Sequence, residues 1–200
     1  MGRHRRLRCE TVQPRGSPVV PRVPHPIESE SYEILRRRVD TGGLGPLSRA
    51  VVERLVHTTA DPTWAGDLLV DEQALAAGRQ ALADGAPVVT DVRMVAVGIT
   101  SRPAMVVAET AGGVEEFVRK APVGAVWAIG QDVSIVTELV ASCRAGEIRP
   151  ALVIALPAGF VGAVEAKRAV RELGVPALTN RGERGGAALA TAAVNALLYL

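Results

Sequence analysis

Hydrophobic and polar residues follow two patterns along this chain, one with the period of a helix and one with continuous apolar stretches. The clearest helical pattern has a period of about 3.6 residues and consists of Leu47, Val51, Val52, Leu55 and Val56. The Asp61-Pro62 pair is expected to end this helix, because the residue before a proline disfavours the α conformation. His57 and Glu53 fall on the arc opposite the apolar face, so we predict that both point away from the core of this helix.

Apolar stretches and helical patterns alternate through the rest of the chain. Predicted helices begin near Ile27 and cover residues 71–84, 113–118, 132–145, 162–173 and 185–200. Predicted strands cover residues 67–70, the start of 87–99, 104–108, 125–129, 151–157 and 176–179. This alternation predicts an α/β fold in which a parallel or mixed central sheet lies between helix layers, a three-layer α/β/α arrangement.

Four predicted strands end in sequences that are polar or rich in glycine. They are TDVRM after Val89, GQDVS after Ile129, PAGFVG after Leu156 and NRGERGG after Thr179. Ligands of such folds bind beyond the carboxyl ends of the strands. We therefore expect a binding site at this edge of the sheet.

The NRGERGG segment places Arg181, Arg184, Gly185 and Gly186 at the start of the last predicted helix. Free backbone N–H groups and the helix dipole at such a position favour contact with an anion or a carboxylate. A tight turn with a purely structural role is the alternative. The segment lacks both the Lys-Ser/Thr of a P-loop and the spacing of a GxGxxG motif, so it is not a nucleotide fingerprint.

Other polar residues near strand ends have both a functional and a structural interpretation. Thr90 and Asp91 either line a pocket or belong to a solvated loop in which Asp91 pairs with Arg93. Asp132 is expected to cap the helix that follows it. Lys167 is expected on a solvated helix face.

His57 is the candidate for acid–base chemistry. It lies near the C-terminal end of its helix, where the helix dipole and Glu53, one turn earlier, favour the imidazolium form. A histidine that titrates near neutral pH is a good general acid. An ordinary exposed surface histidine is the alternative that the pattern leaves open.

Composition and charge narrow the class of protein. The 200 residues suffice for one α/β domain with a sizeable core. The chain is 48% apolar and 3% aromatic, which suits a parallel sheet under helices but not a single-stranded nucleic-acid binder. Residues 1–24 contain six arginines and one glutamate, a net charge of +5, so the remainder carries −3 of the total of +2. The body of the chain therefore gives no reason to expect a nucleic acid.

The N-terminal segment, residues 1–24, is rich in arginine and proline and lacks the apolar run of a secretory signal. We expect a disordered tail ahead of a domain over residues 25–200, or a start codon assigned too early; a weak nucleic-acid- or partner-binding arm is the alternative. No stretch approaches the roughly 18–20 apolar residues of a membrane helix. Cys9 and Cys143 form neither a disulfide framework nor a metal set. A cytoplasmic, reduced protein without a metal is expected.

Five segments of the chain, in order, carry a family resemblance. They are HPIESESYEIL, ERLVHTTADP, PVVTDVRMVAVGI, LPAGFVGAVEAKRAV and RGERGGAALATAAVNALL. They look like the successive motifs of precorrin-8X methylmutase, which is also known in a cobalt-precorrin-8 version. The resemblance runs from about His25 to Leu198, and five motifs in order are specific where any one alone would be weak.

The resemblance implies a homodimer of an α/β/α fold that moves a methyl group from carbon 11 to carbon 12 of a corrin precursor, giving hydrogenobyrinate. Such an intramolecular 1,5-sigmatropic shift uses no methyl donor and no redox cofactor. His57 matches the catalytic histidine, which would protonate the macrocycle, and Ser31 matches a substrate-contacting serine. Arginines and helix N-termini suit the substrate's carboxylates. The other implied substrate contacts are Thr90, Asp91, Gly130, Arg181, Gly185 and Gly186.

The chain departs from the family pattern in three segments. The family's His-Ala-Thr-Gly-Asp reads HTTAD here, so Ala60 replaces a glycine. The family's Gly-Asn-Ala-Pro-Thr-Ala-Leu loop reads GQDVSIV over residues 130–136, and a serine after the paired glycines becomes Ala187. Two alternative functions therefore stay open: a paralogue that binds a corrinoid or another tetrapyrrole without catalysis, and an unrelated α/β nucleotide-binding module.

Overall fold

The computed structural model describes residues 25–107 and 113–199, and its strands form one sheet. The predicted tail, residues 1–24, lies outside the described residues. The strands are β1 (Leu68–Leu69), β2 (Val88–Thr90), β3 (Ala104–Val106), β4 (Val126–Ile129), β5 (Leu152–Ala155) and β6 (Ala177–Asn180). Their order across the sheet is β1-β6-β5-β4-β2-β3. All neighbours pair in parallel except β1, which is antiparallel to β6, so the predicted sheet is confirmed as a mixed one.

Helices connect the strands and cover both faces of the sheet. They are α1 (Pro26–Arg38), α2 (Pro46–Thr59), α3 (Trp64–Asp67), α4 (Glu72–Ala83), α5 (Arg93–Gly98), α6 (Gly113–Lys120), α7 (Val133–Arg144), α8 (Ala163–Glu172) and α9 (Ala187–Leu198). Each parallel pair of strands is joined through a helix, as parallel pairing requires. The helix that carries His57 begins with Pro46, whose ring is tolerated in the first turn.

Two apolar cores lie on opposite faces of the sheet and confirm the three-layer α/β/α arrangement. The first core packs α2, α4, α5 and α9 on one face, and the second packs α6, α7 and α8 on the other. Strand β4 shows how the layers form: Val126 and Ala128 belong to the first core, whereas Trp127 and Ile129 belong to the second. Both faces are buried, which explains why the central strands are continuously apolar.

Two short helices were not predicted. Helix α3 ends at Asp67, so the strand predicted over 67–70 is reduced to Leu68–Leu69. Residues 93–98, which follow β2, form α5, and this helix is attached to α9 by a hydrogen bond from Asn195 Nδ2 to the carbonyl of Gly98 (2.9 Å). Such elements are too short to show a periodic pattern, and tertiary contacts stabilise them.

Candidate functional site

The end of the His57 helix and the loops after the strands meet at one edge of the sheet. Arg184, in the loop between β6 and α9, pairs with Asp61, just past α2, at 2.6 Å. Gly130, directly after β4, lies so close to the start of α9 that an added Cβ would stand 2.6 Å from Ala187 Cα. The backbone N–H of Gly186 donates to the carbonyl of Leu156, after β5, at 2.8 Å. The structure thus brings together the strand ends that the sequence singled out.

His57 lies half-buried in the last turn of α2, stacked on Tyr32 of α1. The ring centroids are 4.6 Å apart and the planes differ by 7°. This stack holds the imidazole plane, while the nearby helix C-terminus favours positive charge. Ser31, next to Tyr32 on α1, is also half-buried. Because the adjoining residue of α1 touches the imidazole, Ser31 lies in the vicinity of His57; its contact with a substrate stays a prediction.

The prediction that Glu53 points away from the core is wrong. Glu53 is only 3% exposed, and its carboxylate accepts hydrogen bonds from Arg36 (2.8 Å) and from Thr41 Oγ1 (2.9 Å). Helix α1 covers the polar arc of α2. The hydrophobic periodicity of α2 could not predict this, because it does not show which other helix packs against that arc. Tyr32 and Arg36, one turn apart on α1, therefore face His57 and Glu53, one turn apart on α2. Glu53 ties the two helices together.

Tyr32 completes this pairing of α1 with α2. The guanidinium carbon of Arg36 lies 5.7 Å from the centre of the Tyr32 ring, within reach of a cation–π contact. Burial raises the pKa of Tyr32, and Arg54 and Arg36 act in the opposite direction. The phenol therefore stays neutral at physiological pH, and its ring serves as an uncharged support for the imidazole.

Asp91 and Thr90 are fully buried at the end of β2. One oxygen of the Asp91 carboxylate accepts hydrogen bonds from the backbone N–H groups of Gly130 (3.1 Å), Gln131 (2.6 Å) and Asp132 (2.9 Å). The alternative of a solvated loop is therefore wrong. The Asp91 carboxylate holds the loop after β4 in place from its buried side. Contact of Thr90 and Asp91 with a ligand stays a prediction, and the burial of both side chains does not favour it. Asp132 caps α7 as predicted, accepting from Ser134 N at 2.8 Å.

The glycines at the strand ends permit close approach of three loops. An added Cβ on Gly185 would stand 2.1 Å from the carbonyl oxygen of Leu156. Gly186 adopts a φ of 136°, which favours glycine, and begins α9 without a side-chain cap. Gly130, Gly185 and Gly186 thus bring the start of α9 against the ends of β4 and β5, and the positive end of its dipole lies at this edge.

The two arginines of the NRGERGG segment have different environments. Arg184 donates to Asp61 (2.6 Å) and to Asp67 (3.2 Å), and its guanidinium lies 4.5 Å from the centre of the Trp64 ring. Its charge is therefore balanced within the protein. The Arg181 side chain is exposed. Of the two, Arg181 is the one available to a ligand.

Asp67 and Asn180 form a polar centre that sequence reasoning missed. The Asp67 carboxylate accepts from Asn180 Nδ2 (2.9 Å) and from the backbone N–H groups of Arg181 (3.2 Å) and Gly182 (3.1 Å), besides Arg184. Burial acts to raise the pKa of Asp67, but the hydrogen bonds from Asn180 and Gly182 outweigh it and lower that pKa. A polar residue at the end of a buried strand, as Asn180 is, was the available signal.

The prediction that Lys167 lies on a solvated face is wrong. The residue is 0% exposed, and its ammonium donates to the backbone carbonyls of Gly182 (2.9 Å) and Arg184 (2.7 Å). Lys167 reaches from α8 beneath the loop that carries both arginines, and it fixes the course of that loop. Burial lowers the pKa of Lys167 to about 8, although the charges of Asp67 and Glu183 act in the opposite direction.

The free energy of unfolding is expected to depend on pH through Lys167. Its folded pKa of about 8 lies below the ordinary value of 10.5, so the unfolded chain binds more protons between these values and stability rises with pH there. The free energy of unfolding of the wild type, relative to that of Lys167→Met, should therefore rise by up to about 3 kcal/mol from pH 7.5 to pH 10. Urea unfolding across this range measures the difference.

An exposed lysine provides the control for this pH dependence. The comparison is Lys120→Met, because Lys120 pairs with Glu116 on the surface of α6, and the change with pH should be larger for Lys167→Met. A flat difference for Lys167→Met would contradict the lowered pKa.

Ala60, which replaces the family's glycine, ends α2 in the left-handed conformation, with φ 52° and ψ 25°. Among the residues that the structure describes, Ala60 is the only non-glycine residue with a positive φ. Ala60→Gly should raise the free energy of unfolding by about 0.5–1 kcal/mol, because only glycine adopts this conformation without strain. Ala145→Gly, at the end of α7 with φ −70°, should instead lower it by about as much. Urea unfolding of both variants is the measurement, and equal signs would contradict the argument.

Within the described residues, no group of three or more His, Cys, Asp or Glu side chains is arranged to hold a metal ion. None of the helices described in residues 25–107 and 113–199 is long and apolar enough to cross a membrane.

Comparison with known proteins identifies similar sequences and structures. The family model described as precorrin-8X methylmutase (CbiC) matches residues 26–200. The precorrin-8X methylmutase of Pseudomonas aeruginosa is 35% identical over 193 residues, covering 86% of this chain and 93% of the relative. The cobalt-precorrin-8 methylmutase of Synechocystis is 32% identical over 208 residues, covering 88% and 95%. The crystal structure of precorrin-8X methylmutase from Thermus thermophilus matches with a TM-score of 0.80 at 31% identity, covering 87% of this chain and 96% of that one.

Proposed function

The chain belongs to the precorrin-8X methylmutase family of isomerases, and we propose that it catalyses the methylmutase step of cobalamin biosynthesis. In this step a methyl group moves from carbon 11 to carbon 12 of the corrin precursor, giving hydrogenobyrinate. The observation that carries the proposal is the position of His57, held by the Tyr32 stack at the edge where the strand ends and the start of α9 converge.

His57 acts as the proton donor in this proposal. A proton given to the conjugated macrocycle makes it electron-poor and eases migration of the methyl group. The bond from the methyl carbon to carbon 11 breaks as the bond to carbon 12 forms. Because the reaction is an isomerisation, the ring returns a proton afterwards and His57 is ready for the next turnover.

The polar groups at the same edge support binding of a substrate with many carboxylates. Arg181 is exposed there, and the start of α9 at Gly186 offers backbone N–H groups and a favourable dipole. Ser31 supplies a hydroxyl on α1, next to the Tyr32–His57 stack. Gly130 and Gly185 let the ends of β4 and β5 approach the start of α9 closely.

Incubation of the protein with precorrin-8X tests this function. Absorption spectra should change to that of hydrogenobyrinate, and cobalt-precorrin-8 in a parallel reaction decides which form of the ring is used. Tight binding of both compounds without conversion would contradict the proposed enzymatic activity and favour a corrinoid-binding paralogue. If neither compound binds, both the methylmutase and the corrinoid-binding interpretation are excluded.

The quaternary structure and location are part of the same proposal. A homodimer in the cytoplasm is expected, and light scattering over a range of protein concentrations measures the mass. A stable monomer that still converts precorrin-8X would contradict the dimer and leave the activity intact.

A further inference from the structure

A second concave site lies at the outer edge of the sheet, away from the His57–Tyr32 stack. This edge cleft has a volume of about 710 Å³ and runs beside β1 and β6, lined among others by Leu69, Val70, Pro176, Arg171 and Arg181. Its volume falls within the range of ligand sites, roughly 300–1,000 Å³. His57, Ser31, Gly130 and Gly185 are not on its walls. The cleft therefore lies away from His57, although it shares Arg181 with the proposed substrate contacts.

Two guanidinium groups on the cleft wall form no ion pair with the residues that the structure describes. Arg171 is half-buried, and its hydrogen bonds in the described chain use only Nη1, which donates to Thr179 Oγ1 (3.1 Å) and to the carbonyl of Asn180 (3.4 Å). The Arg181 side chain forms no ion pair with the residues that the structure describes, although its charge is close enough to act on Arg171: burial and then the charge of Arg181 lower the pKa of Arg171.

The acid on the cleft wall is already engaged. Asp71 accepts a hydrogen bond from Ala74 N at 2.7 Å as the N-cap of α4. Glu172, next to Arg171 in sequence, is exposed and pairs with Arg144 and Arg168. Its charge acts on Arg171 from a distance, without an ion pair. Two neighbouring cations without a carboxylate between them favour an anion from outside.

Much of the remaining wall is apolar, with Gln73 and Thr179 as further polar residues. Leu69, Val70 and Pro176 are half-buried and face the opening. The N-terminal segment of this chain is a poor occupant, because residues 1–24 carry a net charge of +5 and would be repelled by the two arginines. The chemistry suits a molecule with an apolar body and an anionic end.

We infer that the edge cleft binds an amphipathic organic acid, with its carboxylate held by Arg171 and Arg181 and its apolar body against Leu69, Val70 and Pro176. The inference concerns binding alone and does not require methylmutase turnover. A failure of the proposed reaction would leave it standing, and a failure of binding here would leave the reaction standing.

Anilinonaphthalene sulfonate, an apolar fluorophore with one anionic group, tests this site in the full chain. Its fluorescence should rise on binding. Arg171→Gln should weaken the affinity about 10-fold, and the double variant Arg171→Gln with Arg181→Gln about 100-fold, because each substitution removes one charge-assisted contact. Arg171→Lys should restore part of the affinity. Naphthaleneacetate, a carboxylate, should displace the probe. Phenylnaphthylamine, the uncharged analogue, should bind all variants alike.

The control is Arg168→Gln, on the exposed side of α8 where Arg168 pairs with Glu172. It should leave the affinity for the probe unchanged, and circular dichroism checks that each variant is folded. Equal losses for Arg168→Gln and Arg171→Gln would overturn the inference. So would amide shifts in nuclear magnetic resonance spectra that map the probe away from Leu69 and Val70.

Discussion

Replacing His57 with alanine is expected to lower kcat for methyl migration about 10²–10⁴-fold and to leave the Kd for the substrate nearly unchanged. In the proposed mechanism the proton from His57 is needed as the methyl group moves, so its loss should raise the barrier more than it weakens binding. The helix itself should remain folded, because the buried apolar residues of α2 lie on another arc. Single-turnover absorption changes measure the rate, and a fluorescence-quenching titration measures the Kd.

His25 provides a matched control for this experiment. Its imidazole caps α1 by accepting a hydrogen bond from Ile27 N at 3.3 Å, so His25→Ala should keep the wild-type kcat. Tyr32→Phe retains the ring that stacks on His57 and should also keep it, whereas Tyr32→Ala releases the imidazole and should lower kcat. Wild-type turnover in His57→Ala would assign the proton to another group and contradict the proposed role.

Replacing Asp67 with alanine is expected to lower the free energy of unfolding by about 3 kcal/mol. The side chain is 14% exposed and accepts from Asn180, from two backbone N–H groups and from Arg184, all of which would lose a partner. The lowered pKa of Asp67 means that this stabilisation is present above the ordinary aspartate range and is lost as the pH falls through the folded pKa. Urea unfolding at neutral and acidic pH measures both effects.

Asp61 is the matched control, because its carboxylate binds the same guanidinium of Arg184 but is 37% exposed. Asp61→Ala should lower the free energy of unfolding much less than Asp67→Ala, because solvent reaches the carboxylate that accepts the hydrogen bond from Thr63 N–H. Equal costs for the two variants would show that burial and backbone hydrogen bonds do not distinguish them, and would contradict the role given to Asp67.

The layers of this fold could be predicted because their signals are local and repeated. Strand β4 is apolar at every position, since each face of the sheet is covered by helices. Helix α2 shows its apolar arc and its end at Asp61-Pro62 in the same way. Helices α3 and α5 escaped prediction because they are only four and six residues long and depend on contacts with distant segments.

At the candidate site, the sequence identified the segments but not the partners of their side chains. His57 was placed correctly at the end of α2. Glu53, Asp91 and Lys167 were each expected near solvent, and each is buried with its polar atoms satisfied by residues of another element. A charged side chain is buried only when such partners are present, and a single sequence does not show which residues those are.

By itself the sequence determined where the strands and long helices lie, and it singled out the strand ends and His57 as candidates for the chemistry, because these features follow from residue type and near neighbours. The tertiary structure decided which of these residues are exposed and which are buried in the scaffold. Asp67 meets Asn180 across 113 residues, and Arg184 meets Asp61 across 123. Contacts at such separations arise from the order of strands in the sheet and the packing of α1 over α2, which no local pattern records.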